Sequence, residues 1–152
     1  MIPTTRGIAV PEAKQFGVGD QRHVQAQRVW MILTAHVMKE WKWRGEPRPP
    51  RGRKNVLITY GELAKRMRMD PKAGVTLGIP LGIVGEYCRV NGLPTLNSIV
   101  IRQETGVPGD HVLVRDGKTY KDEQREVMRT DWFAYRVPTT GAFRKIREYQ
   151  RR

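Results

Sequence analysis

Cysteine and histidine are scarce in this chain of 152 residues, and their scarcity excludes several kinds of site. With Cys88 as the single cysteine, an internal disulfide and a multi-cysteine zinc site are excluded. The three histidines, His23, His36 and His111, stand far apart and share no metal-ligand spacing. We therefore expect no metal, no cofactor and a cytoplasmic protein.

Long apolar runs are also missing. No stretch approaches the roughly 20 apolar residues that span a membrane, and the segment from Met1 to Asp20 lacks the apolar centre of a signal peptide. Positive charge, in contrast, is abundant, because 28 Lys and Arg against 15 Asp and Glu give a net charge of +13. This excess predicts an anionic partner other than a membrane. Nucleic acid is favoured, since neutralised phosphates release counterions.

The residue pattern divides the chain into an arm or strap (1–19), a single winged-helix-like domain (20–140) and a basic carboxyl-terminal tail (141–152). Asp20 is a candidate N-cap for a long first helix. Apolar residues recur at every fourth position of this helix, at Val29, Leu33, Val37 and Trp41. The cations of the predicted tail are Arg144, Lys145, Arg147, Arg151 and Arg152.

Prolines and glycines between Arg44 and Lys54 predict a loop without regular structure. Two interpretations of this basic loop stay open. It is either an arm that contacts phosphates or a solvated connector. Its candidate contact residues are Arg48, Arg51, Arg53 and Lys54.

A capping box opens the next helix. Thr59 and Glu62 have the S/T-x-x-E spacing, and Ile58 with Leu63 fits a hydrophobic staple. A turn at 70–74 leads to a second helix, which is predicted to stop at Asn91-Gly92 with Pro80 in its first turn. Its apolar face comprises Leu77, Leu81, Val84 and Cys88.

Strands are predicted at Thr95–Arg102 and His111–Arg115, and together they would form a wing. A further helix is predicted from Asp122 to Trp132. The expected fold is thus α/β of the α+β type, with a winged helix-turn-helix core, a long amino-terminal helix and basic arms.

The segments ITYGELAKRM, DPKAG, LGIPLG and LP-x-L, within residues 55–109, resemble the DNA-binding domain of alkylguanine-DNA alkyltransferases and alkyltransferase-like proteins. The resemblance implies that Tyr60 lies against the phosphate of a flipped nucleotide. Val75 stands where the family has its intercalating arginine, and Asn97 and Ser98 stand nearest to its reactive cysteine. Alkyl transfer is therefore not expected, and Cys88, on the apolar helix face, is predicted to be buried and inert.

Candidate contacts follow from the helix-turn-helix. Base reading is expected to be poor, because the second helix offers only Thr76, Glu86, Arg89 and Asn91 as accessible polar residues. Recognition of nucleic-acid structure, of an end, or of a single-stranded or displaced base is preferred. Asn97 and Ser98 could line a pocket for such a base, and ordinary hydrogen bonding within a strand explains them equally well. The predicted contact residues are Tyr60, Lys65, Arg66, Arg68, Lys72, Thr76, Arg89, Asn97 and Ser98, with the four cations of the basic loop.

Glycines and aromatic residues have two interpretations each. Gly78, Gly82 and Gly85 permit close approach of either a neighbouring element or a nucleic-acid backbone, and packing is preferred. Core packing is likewise preferred to base stacking for most of the aromatic residues near basic segments, and Trp43 is the one expected to be exposed. These are Trp41, Trp43, Trp132, Phe133 and Tyr135.

The preferred function is non-catalytic binding of nucleic acid, DNA before RNA. One alternative is a metal-dependent nuclease that uses Asp110, Asp116 and Lys118, although Asp116-Gly117 is more naturally a turn. The other alternative is a basic adaptor or inhibitor that binds an acidic protein partner.

Overall fold

The computed structural model describes residues 4–5, 7–17, 21–44, 46–109 and 112–150. Its helices are α1 (Gln21–Lys39), α2 (Tyr60–Arg66), α3 (Gly78–Val90), α4 (Tyr120–Arg129) and α5 (Thr140–Gln150). Short 3-10 segments at Arg53–Asn55, Pro71–Leu77, Leu96–Ile99 and Trp132–Ala134 connect them. No helix in these ranges is long and apolar enough to cross a bilayer.

The strands are short and pair two by two. β1 (Thr4–Thr5) pairs with β2 (Ile8–Ala9), and β3 (Lys42–Arg44) with β4 (Glu46–Arg48), both antiparallel. β5 (Ile58–Thr59) pairs in parallel with β6 (Val100–Ile101), so that Ile58 lies opposite Val100. The fold is therefore mixed α+β, and β5–β6 ties the start of α2 to the chain that returns after α3.

Helix α1 runs along the core, as its periodicity predicts. Val29, Leu33 and Val37 are fully buried. Trp41, predicted as the fourth member of the helical repeat, is nearly buried but lies two residues beyond the end of the helix. Trp30 packs edge-on against both Tyr87 of α3 and Trp132, with ring centroids 5.5 Å apart in each pair. Asp20, its predicted N-cap, lies outside the described residues.

Three predicted segments differ from the structure. The basic loop, expected to be irregular, contains the β3–β4 hairpin and a 3-10 turn. The strand predicted at Thr95–Arg102 is mostly a 3-10 turn and keeps only two strand residues. The Ser98 amide donates to the Thr95 carbonyl within the turn, and Glu123 and Gln124 of α4 hold the turn through hydrogen bonds to Thr95 and Ser98. Residues 112–115 contain no strand, so the second strand of the predicted wing is absent from them.

The carboxyl-terminal segment is part of the core. Residues 141–150, predicted as a tail, lie in α5, and the tail prediction was wrong because Phe143 is fully buried against Tyr87. The predicted helix from Asp122 starts two residues earlier, where Thr119 and Asp122 form a complete capping box. It ends at Arg129, before the 3-10 turn at Trp132.

Candidate nucleic-acid interface

Helix α2 begins where the capping box predicts. The Thr59 hydroxyl accepts a hydrogen bond from the Glu62 amide at 3.1 Å, and Ile58 and Leu63 are both buried. Asp70 caps the following 3-10 turn by accepting from the Lys72 amide at 2.9 Å. The turn runs directly into α3, so α2, the turn and α3 are consecutive elements of the chain.

The carboxyl end of α2 contains an uncommon backbone conformation. Arg68 has a φ of 60°, and it alone among the described non-glycine residues has a positive φ. Its amide donates to the Lys65 carbonyl at 2.9 Å, and the Met69 amide donates to the Ala64 carbonyl at 2.9 Å. These two bonds define a Schellman motif, in which glycine is the usual residue at the position of Arg68. An arginine there costs about 1 to 2 kcal/mol of backbone strain.

Four predicted cations surround this turn, and all four are exposed: Lys65, Arg66, Arg68 and Lys72. Among the described residues, no carboxylate forms an ion pair with any of them. Arg66 donates instead to the imidazole Nδ1 of His36 at 2.9 Å. Burial and the nearby Arg66 guanidinium together lower the pKa of His36, which favours the neutral ring that accepts this bond. The α2 cation cluster, as we call these four residues, therefore has no carboxylate within ion-pair distance in the described part of the chain.

A cleft of about 670 Å³ opens beside the cluster, in the size range of small-molecule sites. Tyr60 and Lys72 line one side of it, and Arg102 and Gln103 line the loop side. A Cβ at Gly109 would lie 3.0 Å from the Tyr60 hydroxyl oxygen and 3.8 Å from an Arg102 guanidinium nitrogen. The loop after β6 thus folds back over the first residue of α2.

Two glycines of α3 line the cleft. A Cβ at Gly78 or Gly82 would meet nothing within 4 Å, so the packing role predicted for them was wrong. Packing is correct for Gly85, whose Cβ would lie 2.6 Å from the Asn97 side-chain oxygen. The α3 wall of the cleft therefore has no side chains at Gly78 and Gly82 that would hold a ligand away from the helix backbone.

The two predicted pocket residues have different surroundings. Asn97 lines the cleft and donates from Nδ2 to the Leu113 carbonyl at 3.3 Å, while its buried Oδ1 has no partner among the described residues. Ser98 is fully buried and does not line the cleft. Its hydroxyl forms a hydrogen bond of 2.8 Å with the hydroxyl of Thr95. Only Asn97 is therefore placed where a ligand could reach its vicinity.

A buried carboxylate supports the segment behind Asn97. Glu123 is fully buried and accepts from the Thr95 hydroxyl at 2.7 Å and from the Arg115 guanidinium at 2.8 Å. Burial alone would raise the pKa of Glu123, but hydrogen bonds from Arg115 and Thr95 outweigh it and lower the pKa below its ordinary value. The ionised Glu123 therefore fastens both the 95–99 turn and the irregular segment at Arg115 to α4.

Several predicted contacts do not join this site. Glu86 was expected to be accessible but is buried, and Arg89 binds it through two hydrogen bonds of 2.9 and 2.5 Å. Thr76 is exposed, but it bonds to the Ala73 carbonyl and does not line the cleft. The basic loop packs through residues 53–55 near α4. None of its cations, Arg48, Arg51, Arg53 and Lys54, lines the cleft.

Two residues that line the cleft were not among the predicted contacts: Arg102, which was predicted as the end of a strand, and Gln103, which lay in no predicted element. The sequence signal that could have identified them is the turn-forming stretch that contains Gly106. In the structure, this stretch turns the chain back, and the Gly106 amide donates to the Arg102 carbonyl at 2.8 Å. Sequence reasoning also underestimated the exposure of Phe133 and Tyr135, of which 64% and 46% are exposed. Trp41 and Trp132 are buried, as expected, and the side chain of Trp43 lies outside the described part.

The remaining predictions concern the reactivity of Cys88 and the residues of the nuclease alternative. The thiol of Cys88 is fully buried, and burial raises its pKa to about 12, which makes it unreactive as predicted. Asp110 and His111 lie outside the described residues. Asp116-Gly117 forms the predicted turn, with a Gly117 φ of 76°, and the Lys118 ammonium contacts Glu126 at 3.3 Å. The described ranges hold no group of three or more metal-ligating side chains.

Comparison of the chain with models of protein families, with curated proteins and with solved structures finds no match.

Proposed function

We propose that this protein binds DNA through the α2 cation cluster and accepts an unpaired nucleotide in the neighbouring cleft, without catalysis. The observation that carries the proposal is Arg68. Its backbone strain is not offset by any ion pair or hydrogen bond of its guanidinium within the described residues. A phosphate contact gives a physical reason for an arginine where glycine is more stable.

The surroundings of Arg68 support the same partner. Exposed cations without carboxylate partners attract phosphates, and each phosphate that they neutralise releases counterions. Lys72 is common to the cluster and the cleft, so a strand held on the cluster passes the cleft entrance. Tyr60, Arg102 and Gln103 supply hydrogen-bonding groups at the cleft, and unpaired bases present such edges to a protein.

The resemblance of residues 55–109 to alkyltransferase-like DNA-binding domains agrees with this proposal. The cleft contains Asn97 in place of a reactive thiol. A nucleotide would thus be bound and not alkylated or dealkylated. The winged form of the helix-turn-helix is not part of the proposal, since residues 112–115 form no strand.

Fluorescence anisotropy with labelled duplex DNA, with and without a mismatched base pair, tests the proposal. We expect binding that weakens as salt rises, a preference for the mismatch, and intact DNA on a gel after incubation with Mg²⁺. Lys65→Ala with Arg66→Ala should weaken binding at least about tenfold. Lys121→Ala with Lys145→Ala removes the same charge from exposed positions of α4 and α5 and is the matched control.

Equal losses in both double variants would contradict a localised interface, because they would indicate attraction by net charge alone. Absence of binding at low salt would contradict DNA as the partner. Cleaved DNA would contradict the non-catalytic proposal and support the nuclease alternative. Binding with no preference for the mismatch would remove the nucleotide from the cleft but leave the cluster as the phosphate contact.

A further inference from the structure

We infer that the segment Phe133–Val137 is a second nucleic-acid contact, on which unpaired bases stack. All five of its residues are exposed, including two aromatic rings with an arginine directly after them. Phe133 is 64% exposed, Tyr135 is 46% exposed and Val137 is 45% exposed. Isolated exposed apolar residues are common on proteins, but three within five residues form a local surface.

The segment is held at both ends. On one side, Trp132 is buried, donates from its indole nitrogen to the Val127 carbonyl at 2.8 Å, and packs edge-on against Trp30. On the other side, Pro138 is buried and its carbonyl accepts from Gln27 of α1 at 3.0 Å. The exposed rings therefore belong to a segment whose two ends are held against the core by Trp132 and Pro138.

Local contacts also order the backbone that carries the two rings. The Phe133 amide donates to the Asp131 carboxylate at 3.1 Å, and the Tyr135 amide donates to the Trp132 carbonyl at 3.2 Å. The Tyr135 ring lies 6.2 Å from that of Trp132 between centroids, tilted by 49°. Binding on this surface would therefore need little ordering of the backbone, which favours affinity.

The positive charge near the segment favours an anionic ligand. Arg136 lies between Tyr135 and Val137, and Arg129 precedes the segment. Both are exposed, and neither forms an ion pair within the described ranges. A second copy of this chain, with its net charge of +13, would be repelled. Single-stranded nucleic acid combines phosphates for the guanidiniums with flat bases for the rings.

The inference goes beyond the proposed function, because it concerns α4, α1 and the segment between α4 and α5 rather than α2. The test compares three labelled probes of equal length: oligothymidine, oligouridine and an abasic oligonucleotide that has the same phosphates but no bases. Wild-type protein should bind the two base-containing probes more tightly than the abasic one. The ratio of affinities isolates stacking from charge attraction.

Phe133→Ala with Tyr135→Ala should weaken binding of oligothymidine or oligouridine by about 5-fold to 100-fold, the range expected for lost stacking. Binding of the abasic probe should not change. Phe133→Tyr with Tyr135→Phe keeps both rings and should restore the wild-type ratio. Val90→Ala removes an equally exposed apolar side chain from the end of α3 and should have no effect.

A loss for only one of the two base-containing probes supports stacking and identifies DNA or RNA as the strand that is bound. An alanine variant that binds every probe like the wild type overturns the inference, as does equal weakening with the abasic probe. Ring-dependent binding to vesicles of phosphatidylserine without ring-dependent binding to oligonucleotides also overturns it. The Lys65→Ala, Arg66→Ala variant should keep the ratio between probes, so failure of the α2 interface and failure of the stacking surface are distinguishable.

Discussion

The carboxyl ends of α2 and α3 have the same backbone design and differ in the residue at its strained position. At the end of α3, Gly92 has a φ of 69°, its amide donates to the Arg89 carbonyl, and the Leu93 amide donates to the Cys88 carbonyl. The equivalent bonds at the end of α2 place Arg68 where α3 has Gly92. Gly92 therefore illustrates what stability alone prefers, and Arg68 illustrates a departure that needs another reason.

The largest expected effect is on the free energy of unfolding and comes from removing a buried carboxylate that lies outside the proposed interface. Glu123 lies outside both turns, is fully buried, and accepts hydrogen bonds from buried Thr95 and from Arg115, whose side chain is 20% exposed. Glu123→Ala should lower the free energy of unfolding by about 3 to 5 kcal/mol, because the Thr95 amide and hydroxyl and the Arg115 guanidinium would lose their buried acceptor. Urea denaturation measures this loss. Glu126→Ala, which removes a partly exposed partner of the same arginine, should cost less than about 1 kcal/mol.

The next effect tests the glycine side of the comparison. Gly92→Arg should lower the free energy of unfolding by about 1 kcal/mol, because the strain of about 1 to 2 kcal/mol that any Cβ meets in this conformation is partly offset by the smaller freedom of arginine in the unfolded chain. No neighbouring atom lies within 4 Å of the new Cβ, so steric overlap at that atom does not contribute. Urea denaturation and anisotropy should report a less stable protein with DNA affinity no weaker than that of the wild type. A fully stable Gly92→Arg variant would remove the argument from strain.

The opposite substitution, arginine to glycine at the end of α2, tests whether the backbone at Arg68 is strained. Arg68→Gly should leave the free energy of unfolding unchanged or raise it by up to about 1 kcal/mol, since relief of strain is partly offset by the greater freedom of glycine in the unfolded chain. Thermal and urea unfolding check the sign. A loss of more than about 1 kcal/mol would mean that the arginine stabilises the fold through a contact of its own.

The smallest effect concerns Arg66, which His36 holds beside Arg68. Because the folded-state pKa of His36 is lowered, the unfolded chain binds the proton first as the pH falls below the ordinary value of 6.5. The contribution of neutral His36 to stability is therefore complete above that pH and is lost below it. The slope attributable to one proton cannot exceed about 1.4 kcal/mol per pH unit.

His36→Gln keeps an acceptor for Arg66 but does not titrate. Urea denaturation across this pH range should give a smaller pH dependence for His36→Gln than for the wild type, with His23 and His111 common to both proteins. The same pH dependence in both proteins would show that another group titrates.

The helices could be predicted from the sequence because their signals are local. Thr59 with Glu62 marks the start of α2, and Asn91-Gly92 marks the end of α3 within the same few residues. The apolar repeat of α1 corresponds directly to its buried face. The exposure of Lys65 and Arg66 also follows from helical spacing.

The rest of the site depends on contacts between distant parts of the chain. The segment Thr95–Arg102 contains enough apolar residues for a strand, but residues 96–99 form a 3-10 turn that Glu123 and Gln124 of α4 hold through hydrogen bonds to Thr95 and Ser98. Contacts with a helix farther along the chain leave no local signal in the sequence. Arg102 comes to the cleft because β6 pairs with β5, some forty residues earlier. The positive φ of Arg68 has no sequence signature, since a Schellman motif is normally predicted from the glycine that is missing here.

The salt dependence of duplex binding tests the central claim most directly, measured by anisotropy for the wild type, Arg68→Gly and Gly92→Arg. If Arg68 contacts a phosphate, the slope of the logarithm of the association constant against the logarithm of salt concentration should be shallower by about 0.9 for Arg68→Gly. Gly92→Arg should keep at least the wild-type slope. An Arg68→Gly variant with the wild-type slope and affinity would contradict the claim that Arg68 is kept for DNA.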